Sequence, residues 1–348
     1  MISFLNDYNE VSHPKILEDL QKYQNEKFCG YSKDELVNEA ISIIKDNLQN
    51  QDVEIHFVHG GTIANVIGLM MSVNRHESVI SVNTGHIVNT ENASIEAVGH
   101  QIVLVNENNG KMTVNEIEKA LKSHSHEYNS KPKVVYISNA TELGTVYTRS
   151  ELEELHNYCS EYNLYLFMDG ARIANAIMSK YSDLEFSDLP KYLDAFTIGG
   201  TKNGFMFGEA LVFVNDSLKD IYARMVIKQR GALLAKGFLF GIQFKSMFEN
   251  GLFFKIAKNA VDMAQKLVSV FEKYNIPIIY RAEANLIFVE LTKELHEELS
   301  EKFIYQYDDV DGKRGICRFV TTWNTNESEI VELDRVLEVL CQIPIGHK

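Results

Sequence analysis

Three short segments of the 348-residue chain carry groups that could do chemistry. Residues 59–62, with the sequence HGGT, offer two glycines, a hydroxyl group and the beginning of a predicted helix, where free backbone N–H groups and the helix dipole favour a phosphate. Asp169 ends a predicted strand shortly before Arg172, and its carboxylate could hold a cationic ring nitrogen or simply pair with that arginine. Lys202 lies in the glycine-rich turn 199–204, either as a solvated side chain or as an amine that condenses with a carbonyl group.

These three features together fit one cofactor, pyridoxal 5′-phosphate (PLP). PLP has a phosphate, a ring nitrogen that works best when it is protonated beside a carboxylate, and an aldehyde that forms a Schiff base with a lysine. A nucleotide fits less well. The turn 199–204 has the glycine spacing of a Walker A loop, but Phe205 and Met206 follow it where a lysine and a serine or threonine are required.

The elements that must position these groups are predicted from apolar runs that alternate with amphipathic helices. The predicted strands are residues 53–58, 78–82, 101–105, 133–138, 164–169, 195–198 and 210–214. Continuous apolar strands alternating with helices indicate an α/β fold with a mostly parallel sheet covered on both faces. In such sheets ligands bind at the carboxyl ends of the strands, which is where the three segments lie.

The pattern changes after residue 230. A long helical stretch over residues 231–274 precedes a smaller set, with strands at 286–291 and 317–322 and helices at 293–302 and 327–341. We therefore predict a large domain over residues 1–235 and a small C-terminal α+β domain over residues 236–348, with the first residues packing on either one. A helix is predicted over residues 150–162, with Ser150 as its cap.

Composition limits the function classes. The formal charge of −14 argues against a nucleic-acid partner or an anionic membrane surface. The amino terminus lacks the pattern of a secretory signal, and no apolar run is long enough to span a membrane. The four cysteines are scattered, which favours reduced thiols in a cytoplasmic protein over a disulfide framework or a metal site.

The candidate segments belong to a collinear series that resembles the threonine aldolase/aromatic amino acid β-eliminating lyase family of fold-type I PLP enzymes. The series comprises LNDY (5–8), GGTIAN (60–65), TGHI (84–87), TELGT (141–145), DGAR (169–172), residues 199–204, GEA (208–210), KQRG (228–231) and RFVTTW (318–323). The resemblance covers nearly the whole chain. It implies a mostly parallel seven-stranded sheet with a smaller C-terminal domain, and PLP as the cofactor.

The resemblance also implies roles around the cofactor. Lys202 would form the Schiff base, and Asp169 would pair with the ring nitrogen. Gly61 and Thr62 would bind the phosphate, and His86 would stack on the ring.

Further roles concern the substrate and a neighbouring subunit. Arg172 would lie beside the phenolate-type oxygen of the cofactor, and Arg318 would bind the carboxylate of the substrate. Lys228 or Arg230 would reach the phosphate of a neighbouring subunit, and Tyr31 would also act across that interface. The resemblance therefore implies a homodimer or homotetramer with shared active sites.

The implied reaction is the aldol cleavage of a β-hydroxy-α-amino acid, of the L-threonine or L-allo-threonine type, to glycine and an aldehyde. Two departures from the family pattern leave alternatives open. Glu142 stands where many threonine aldolases have a histidine, so Glu142 or His86 is the candidate base, and Asn6 stands where a serine lies near the substrate. A β-eliminating lyase acting on an aromatic or other β-substituted amino acid remains an alternative, and a non-catalytic phosphate-binding protein is a remote one.

Overall fold

The computed structural model describes residues 1–342, so the last six residues of the predicted small domain lie outside the described part. The strands are β1 (Ile2–Ser3), β2 (Glu54–Val58), β3 (Glu77–Val82), β4 (Gln101–Val105), β5 (Lys131–Ser138), β6 (Tyr165–Asp169), β7 (Ala195–Gly199), β8 (Glu209–Phe213), β9 (Leu286–Thr292), β10 (Phe303–Ile304), β11 (Gln306–Asp309) and β12 (Arg314–Val320). The helices are α1 (Pro14–Lys22), α2 (Glu35–Leu48), α3 (Gly61–Ser72), α4 (His86–Asn89), α5 (Val114–Ser123), α6 (Arg149–Glu161), α7 (Ile173–Met178), α8 (Leu189–Tyr192), α9 (Ala223–Gln229), α10 (Phe238–Phe248), α11 (Leu252–Lys273), α12 (Lys293–Ser300) and α13 (Glu327–Gln342).

The large sheet has seven strands in the order β2-β8-β7-β6-β5-β3-β4. β8 runs antiparallel to both of its neighbours, and the other neighbouring pairs are parallel. Each strand coincides with one of the seven predicted apolar runs, which confirms the predicted α/β class and the mostly parallel sheet. The runs at β3, β7 and β8 are largely apolar because these strands are buried along their whole length.

Helices cover both faces of this sheet. On one face α2 and α10 pack on the sheet and on each other, so closely that a Cβ added to Gly241 would lie 2.6 Å from the backbone nitrogen of Val37. On the other face α3 and α9 build a second apolar cluster around Phe167 and Leu211. The sheet edge that carries the candidate residues is therefore held between two packed layers.

A smaller antiparallel sheet, in the order β11-β12-β9, packs against α11 and α13. β1 pairs in parallel with β10, which attaches the amino terminus to this region. β12 begins at Arg314, three residues before the predicted start, because it pairs with β9 from Thr292 to Leu286. The domain boundary near residue 235 stays a prediction.

Two local predictions are corrected. The helical stretch 231–274 is broken between α10 and α11, where Asn250 and Gly251 both have positive φ angles. The cap of α6 is Thr148, whose side chain accepts a hydrogen bond from the backbone N–H of Glu151, and not Ser150. Over residues 1–342, none of the helices has the length and apolar character to cross a membrane.

Candidate active site

Five of the candidate residues end or follow strands at one edge of the large sheet. Because β8 is antiparallel to its neighbours, the other six strands end at this edge and β8 begins there. Asp169 ends β6, and Lys202 follows β7. Thr62 follows β2, His86 follows β3 and Glu142 follows β5. The topology thus brings together groups that are up to 140 residues apart in the chain.

Asp169 is buried and fully engaged in hydrogen bonds. Asn65 Nδ2 and Tyr136 Oη donate to its Oδ2 at 2.8 and 2.7 Å, and the backbone N–H of Ala171 donates to Oδ1 at 2.8 Å. Burial alone would raise the pKa of Asp169, but the charge of His86, the hydrogen bonds and the charge of Lys202 outweigh it, so the pKa lies below its ordinary value. This carboxylate is therefore ionised at neutral pH and can stabilise a cation placed against it.

His86 belongs to the same network. Its Nδ1 lies 2.8 Å from Oε1 of the buried Glu91, which also accepts from Asn65 Nδ2 at 2.8 Å. Burial would lower the pKa of His86, yet the hydrogen bond to Glu91 and the charge of Asp169 raise it above the ordinary value. His86, Glu91 and Asp169 each offer one atom that could bind a metal ion, and these three atoms lie within 4.8 Å of one another. The hydrogen bond between His86 and Glu91, together with those that Asn65 donates to Glu91 and to Asp169, accounts for this cluster as a scaffold.

The glycine turn at the beginning of α3 is open. Gly60 is the N-cap of the helix, in an extended conformation, and no side chain caps the helix. A Cβ added to Gly60 or to Gly61 would meet no heavy atom within 4 Å, and Thr62 is exposed. The first backbone N–H groups of α3 therefore face free space, as an anion site at a helix N-terminus requires.

Lys202 lies in a turn whose two following residues are fixed by hydrogen bonds to other parts of the chain. Its neighbour Asn203 donates from Nδ2 to the carbonyl of Phe253 at 2.9 Å, and the N–H of His13 donates to the carbonyl of Gly204 at 2.7 Å. The charge of Lys202 contributes to lowering the pKa of Asp169 and of Asp7. The charge of Lys202 thus acts on two buried acids, Asp169 and Asp7.

Arg172 is buried, and its charge is already paired. Its Nε and Nη2 donate to the two carboxylate oxygens of Asp7 at 2.7 and 3.1 Å. Asn285 Nδ2 donates to the same Asp7 at 3.0 Å and to the carbonyl of Thr321 at 2.9 Å. Burial would raise the pKa of Asp7, but Arg172 and Lys202 lower it. The amino-terminal segment therefore joins the edge of the large sheet to the end of β12.

Arg318 lies on β12, three residues before Thr321, opposite Phe288 of β9 and Gln306 of β11. Its Nε is buried and has no hydrogen-bond partner among the described residues. A buried guanidinium nitrogen without an acceptor is costly, so an anion that reaches it gains a strong interaction.

Glu142 and Asn6 differ in their relation to the site. Glu142 is close enough for its charge to favour the protonated form of His86 and the charged form of Arg172. Asn6 adjoins Asp7, but its Oδ1 accepts a local hydrogen bond from the backbone N–H of Tyr8 at 3.1 Å. The predicted substrate role of Asn6 therefore has weaker support than that of Arg318.

Tyr31 and Lys228 lie together, with Lys228 Nζ 4.8 Å from the centre of the Tyr31 ring. Arg224 donates from Nη2 to the carbonyl of Tyr31 at 2.6 Å. Tyr31 is 42% exposed, and Tyr222 and Met225, close to Arg224 in the chain, are also exposed. Their predicted action across a subunit interface stays a prediction.

The sequence predictions missed several residues of the site. Asp7, Asn65 and Glu209 lie inside the motifs that carry the family resemblance, so their place in the sequence could have marked them as site residues. Only the hydrogen bonds of the structure show what they contact. Glu91 and Tyr136 had no comparable signal, since an acid in a loop and a tyrosine in a strand are common anywhere.

Comparisons with known proteins agree with this geometry. The family model described as β-eliminating lyase matches residues 26–294. The chain is 30% identical to the low-specificity L-threonine aldolase of a Pseudomonas species over 95% of both chains. It is 30% identical to the low-specificity L-threonine aldolase of Pseudomonas aeruginosa over 83% of this chain and 84% of that protein.

Solved structures give the same result. The threonine aldolase of Leishmania major superposes with a TM-score of 0.96 at 39% identity, covering 98% of this chain and 100% of that one. An aspartate aminotransferase of Thermotoga maritima, with a TM-score of 0.72 and 16% identity over 97% of this chain and 92% of that one, shares the fold alone. Since the family model matches residues 26–294 and the first of these relatives is 30% identical over 95% of the chain, the chain belongs to the β-eliminating lyase family of PLP-dependent lyases.

Proposed function

We propose that this protein binds PLP and cleaves a β-hydroxy-α-amino acid of the L-threonine or L-allo-threonine type to glycine and an aldehyde. The observation that carries the proposal is the meeting of Asp169, Lys202 and the open glycine turn at one sheet edge. Relatives that match 83–95% of the chain at 30% identity are low-specificity L-threonine aldolases.

The residues present fit PLP. Lys202 would supply the amine for the aldehyde of the cofactor, and the ionised Asp169 would favour the protonated form of the ring nitrogen. The N–H groups of Gly61 and Thr62 hold the phosphate, in the space that a Cβ on Gly61 would enter without contact. His86 would stack on the ring, and the hydrogen bond between its Nδ1 and Oε1 of Glu91, which accepts, fixes its orientation.

Two further anions, the phenolate-type oxygen of the cofactor and the carboxylate of the substrate, are assigned to Arg172 and Arg318. Arg172, held by Asp7, would place its charge beside the phenolate-type oxygen. Arg318 binds the substrate carboxylate, because its buried Nε has no partner in the described chain. A substrate fixed at its carboxylate can be turned so that one bond at Cα stands perpendicular to the ring.

The bound cofactor supplies an acceptor for the electrons of the bond that breaks at Cα. The chain must also take the proton of the β-hydroxyl group. Glu91 can hold the proton of His86 on Nδ1, which leaves Nε2 as an acceptor. Glu142, whose charge acts on His86, is the other candidate.

The assembly and location follow from the same proposal. The exposed pair Tyr31 and Lys228, with Arg230 beside it, completes the site of a second subunit in a homodimer or homotetramer. All four cysteines are unpaired in the structure, in keeping with a cytoplasmic protein.

The first experiment tests cofactor binding. We expect protein loaded with PLP to be yellow, and borohydride reduction followed by peptide mass spectrometry to place the cofactor on Lys202. The variant Lys202→Ala should lose the colour and the label, whereas Lys219→Ala, at an ion pair on the surface, should keep both. A colourless wild-type protein whose activity survives Lys202→Ala would refute the proposal.

The second experiment separates two reactions, because the matching family model is named for β-elimination. The protein is incubated with L-threonine, L-allo-threonine, β-phenylserine and L-tyrosine, and the products are identified. We expect glycine and an aldehyde from the hydroxy amino acids. Ammonia and a 2-keto acid as the main products would instead establish the β-eliminating lyase.

A further inference from the structure

Glu142 lies in a short turn, residues 141–145, that follows β5. The N–H of Thr141 donates to the carbonyl of Thr145 at 2.9 Å, and the N–H of Gly144 donates to the carbonyl of Thr141 at 3.0 Å. Gly144 has a φ angle of +84°. These bonds, with a glycine in the left-handed region, are typical of a three-residue loop between two short extended segments. Glu142 is therefore carried by a turn of defined backbone geometry.

This turn lies next to the candidate active site. Glu142 is half-buried and lines a small cavity together with Gly85 and Tyr136. Gly85 directly precedes His86, and Tyr136 Oη donates to Asp169 Oδ2 at 2.7 Å. The reach of the Glu142 carboxylate into the site therefore depends on how the backbone of the turn is held.

The segment that leads into β9 holds this backbone. The N–H groups of Glu283 and Ala284 both donate to the carbonyl of Gly144 at 3.0 Å. Oε2 of Glu283 accepts from the N–H of Val146 at 2.9 Å. A Cβ added to Gly144 would lie 2.7 Å from the carbonyl oxygen of Leu286, so the two backbones are in close contact. The turn is thus bound to the residues that enter the small sheet.

Glu283 is itself fixed in place. It is 8% exposed, and its carbonyl accepts a hydrogen bond from the hydroxyl of Ser179. Its Oε1 lies 3.9 Å from Nη1 of Arg281, whose side chain is 76% exposed, so this ion pair contributes little. A buried carboxylate is costly unless hydrogen bonds compensate for its burial, and the N–H of Val146 supplies such a bond.

We propose that Glu283 is a positioning residue, which holds the turn so that Glu142 takes the proton of the substrate β-hydroxyl group. The inference rests on the proposed function and selects Glu142 over His86 as the proton acceptor. The O–H bond breaks as its proton passes to the Glu142 carboxylate. The electron pair of that bond forms the C=O bond of the aldehyde, and the pair of the broken Cα–Cβ bond stays with Cα.

The first test removes or keeps the acceptor of the Val146 N–H in protein loaded with PLP. Glu283→Ala should lower kcat about 10- to 100-fold, because small displacements of a reacting group are costly, and should leave KM nearly unchanged. Glu283→Gln keeps an oxygen that can accept the bond, so it should restore most of kcat. An equal loss in both variants would overturn the inference, since the hydrogen bond would then not be the cause. If Glu283→Ala does not fold, Glu283→Asp, whose side chain is one methylene shorter, replaces it.

A double-mutant cycle tests whether Glu283 acts through Glu142. Glu142→Gln alone should lower kcat at least about 100-fold, the usual contribution of a general base. Adding Glu283→Ala to Glu142→Gln should then change kcat little, because the group that Glu283 positions is already missing. Losses that multiply would overturn the inference, since they indicate a structural role independent of Glu142. A Glu142→Gln variant with the kcat of the wild type would overturn it too.

Glu290→Gln is the matched control. Glu290 lies in β9, in the same part of the chain, but its carboxylate pairs with Arg314 near the surface, so both kcat and KM should stay unchanged. A loss as large as that of Glu283→Ala would show only that this part of the chain tolerates no change, and it would overturn the inference.

Hydrogen exchange in the cofactor-free protein tests the same contact without catalysis. The amides of peptide 139–147 should exchange faster in Glu283→Ala than in the wild type, and Glu283→Gln should restore the protection. Unchanged exchange in Glu283→Ala would overturn the inference whatever the activity. The proposed function fails differently, as a wild-type protein that forms no glycine and aldehyde although its turn is protected.

Discussion

Two arginines have been assigned to anions of the cofactor and the substrate, and the structure surrounds them differently. Arg172 has a buried partner, since Asp7 takes its Nε and Nη2. Arg318, on the small sheet, has a buried Nε without a partner among the described residues. Asn285 connects the two regions, because its Nδ2 donates both to Asp7 and to the carbonyl of Thr321 at the end of β12.

The difference distinguishes a cation that stabilises the fold from a cation that is free to bind a ligand anion. Breaking the pair of Arg172 and Asp7 would leave a buried charge uncompensated, so this pair holds the amino-terminal segment against the sheet edge. Arg318 has hydrogen-bonding capacity left for a carboxylate. The same side chain can thus serve as scaffold or as receptor, depending on whether the fold supplies its counter-ion.

The largest effect is expected when the paired arginine loses its partner. Asp7→Asn should lower the free energy of unfolding by about 3–5 kcal/mol, because Arg172 remains buried without a counter-charge. Chemical denaturation measures the change. The control Asp216→Asn breaks an ion pair whose acid is 95% exposed, and it should cost about 1 kcal/mol or less. Equal losses in the two variants would show that burial does not distinguish the pairs.

A smaller effect is expected at Arg318, the arginine with a buried Nε that has no partner among the described residues. Arg318→Ala should raise KM roughly 10- to 100-fold, the value of charge-assisted hydrogen bonds to a carboxylate, with little change in stability or in the yellow colour. Steady-state kinetics and the visible spectrum measure both effects. Arg314→Ala, on the same strand but paired with Glu290 and Asp311 at the surface, is the control and should leave KM unchanged. Loss of colour in Arg318→Ala would contradict its assignment to the substrate.

The smallest effect concerns the histidine of the large-sheet network. Because the pKa of His86 is raised in the folded protein, its charge stabilises the fold fully below the ordinary value of 6.5, and this contribution disappears as the pH rises through the raised pKa. The stability difference between wild type and His86→Gln should therefore be larger at about pH 6 than at about pH 9.

For His296 the expected pH dependence of stability has the opposite sign. Burial lowers the pKa of His296, so its contribution is present at high pH and is lost on acidification through the neutral range. For His296→Gln the stability difference should be larger at high pH. If both variants showed the same pH dependence, the hydrogen bond to Glu91 would not explain the behaviour of His86.

The strands of the large sheet could be predicted closely because burial on both faces leaves a continuous apolar run. The cap of α6 was also within reach, since Thr148 and Glu151 have the spacing of a capping box. The cap was wrongly assigned to Ser150, because the sequence offers two hydroxyl residues near the start of the helix. Only the structure shows which of the two accepts a hydrogen bond from a backbone N–H of the first turn. The break at Asn250 was harder to predict, because it depends on a positive φ angle.

The order of residue types along the chain determined that this protein is an α/β enzyme with a lysine, an acid and a glycine turn after three strands, since local patterns record burial and turn geometry. Only the tertiary structure decided which charges remain available. Asp7 meets Arg172 across 165 positions, and Asn285 meets Asp7 across 278. Hydrogen bonds and ion pairs act over a few ångströms in space, and sequence separation does not encode such distances.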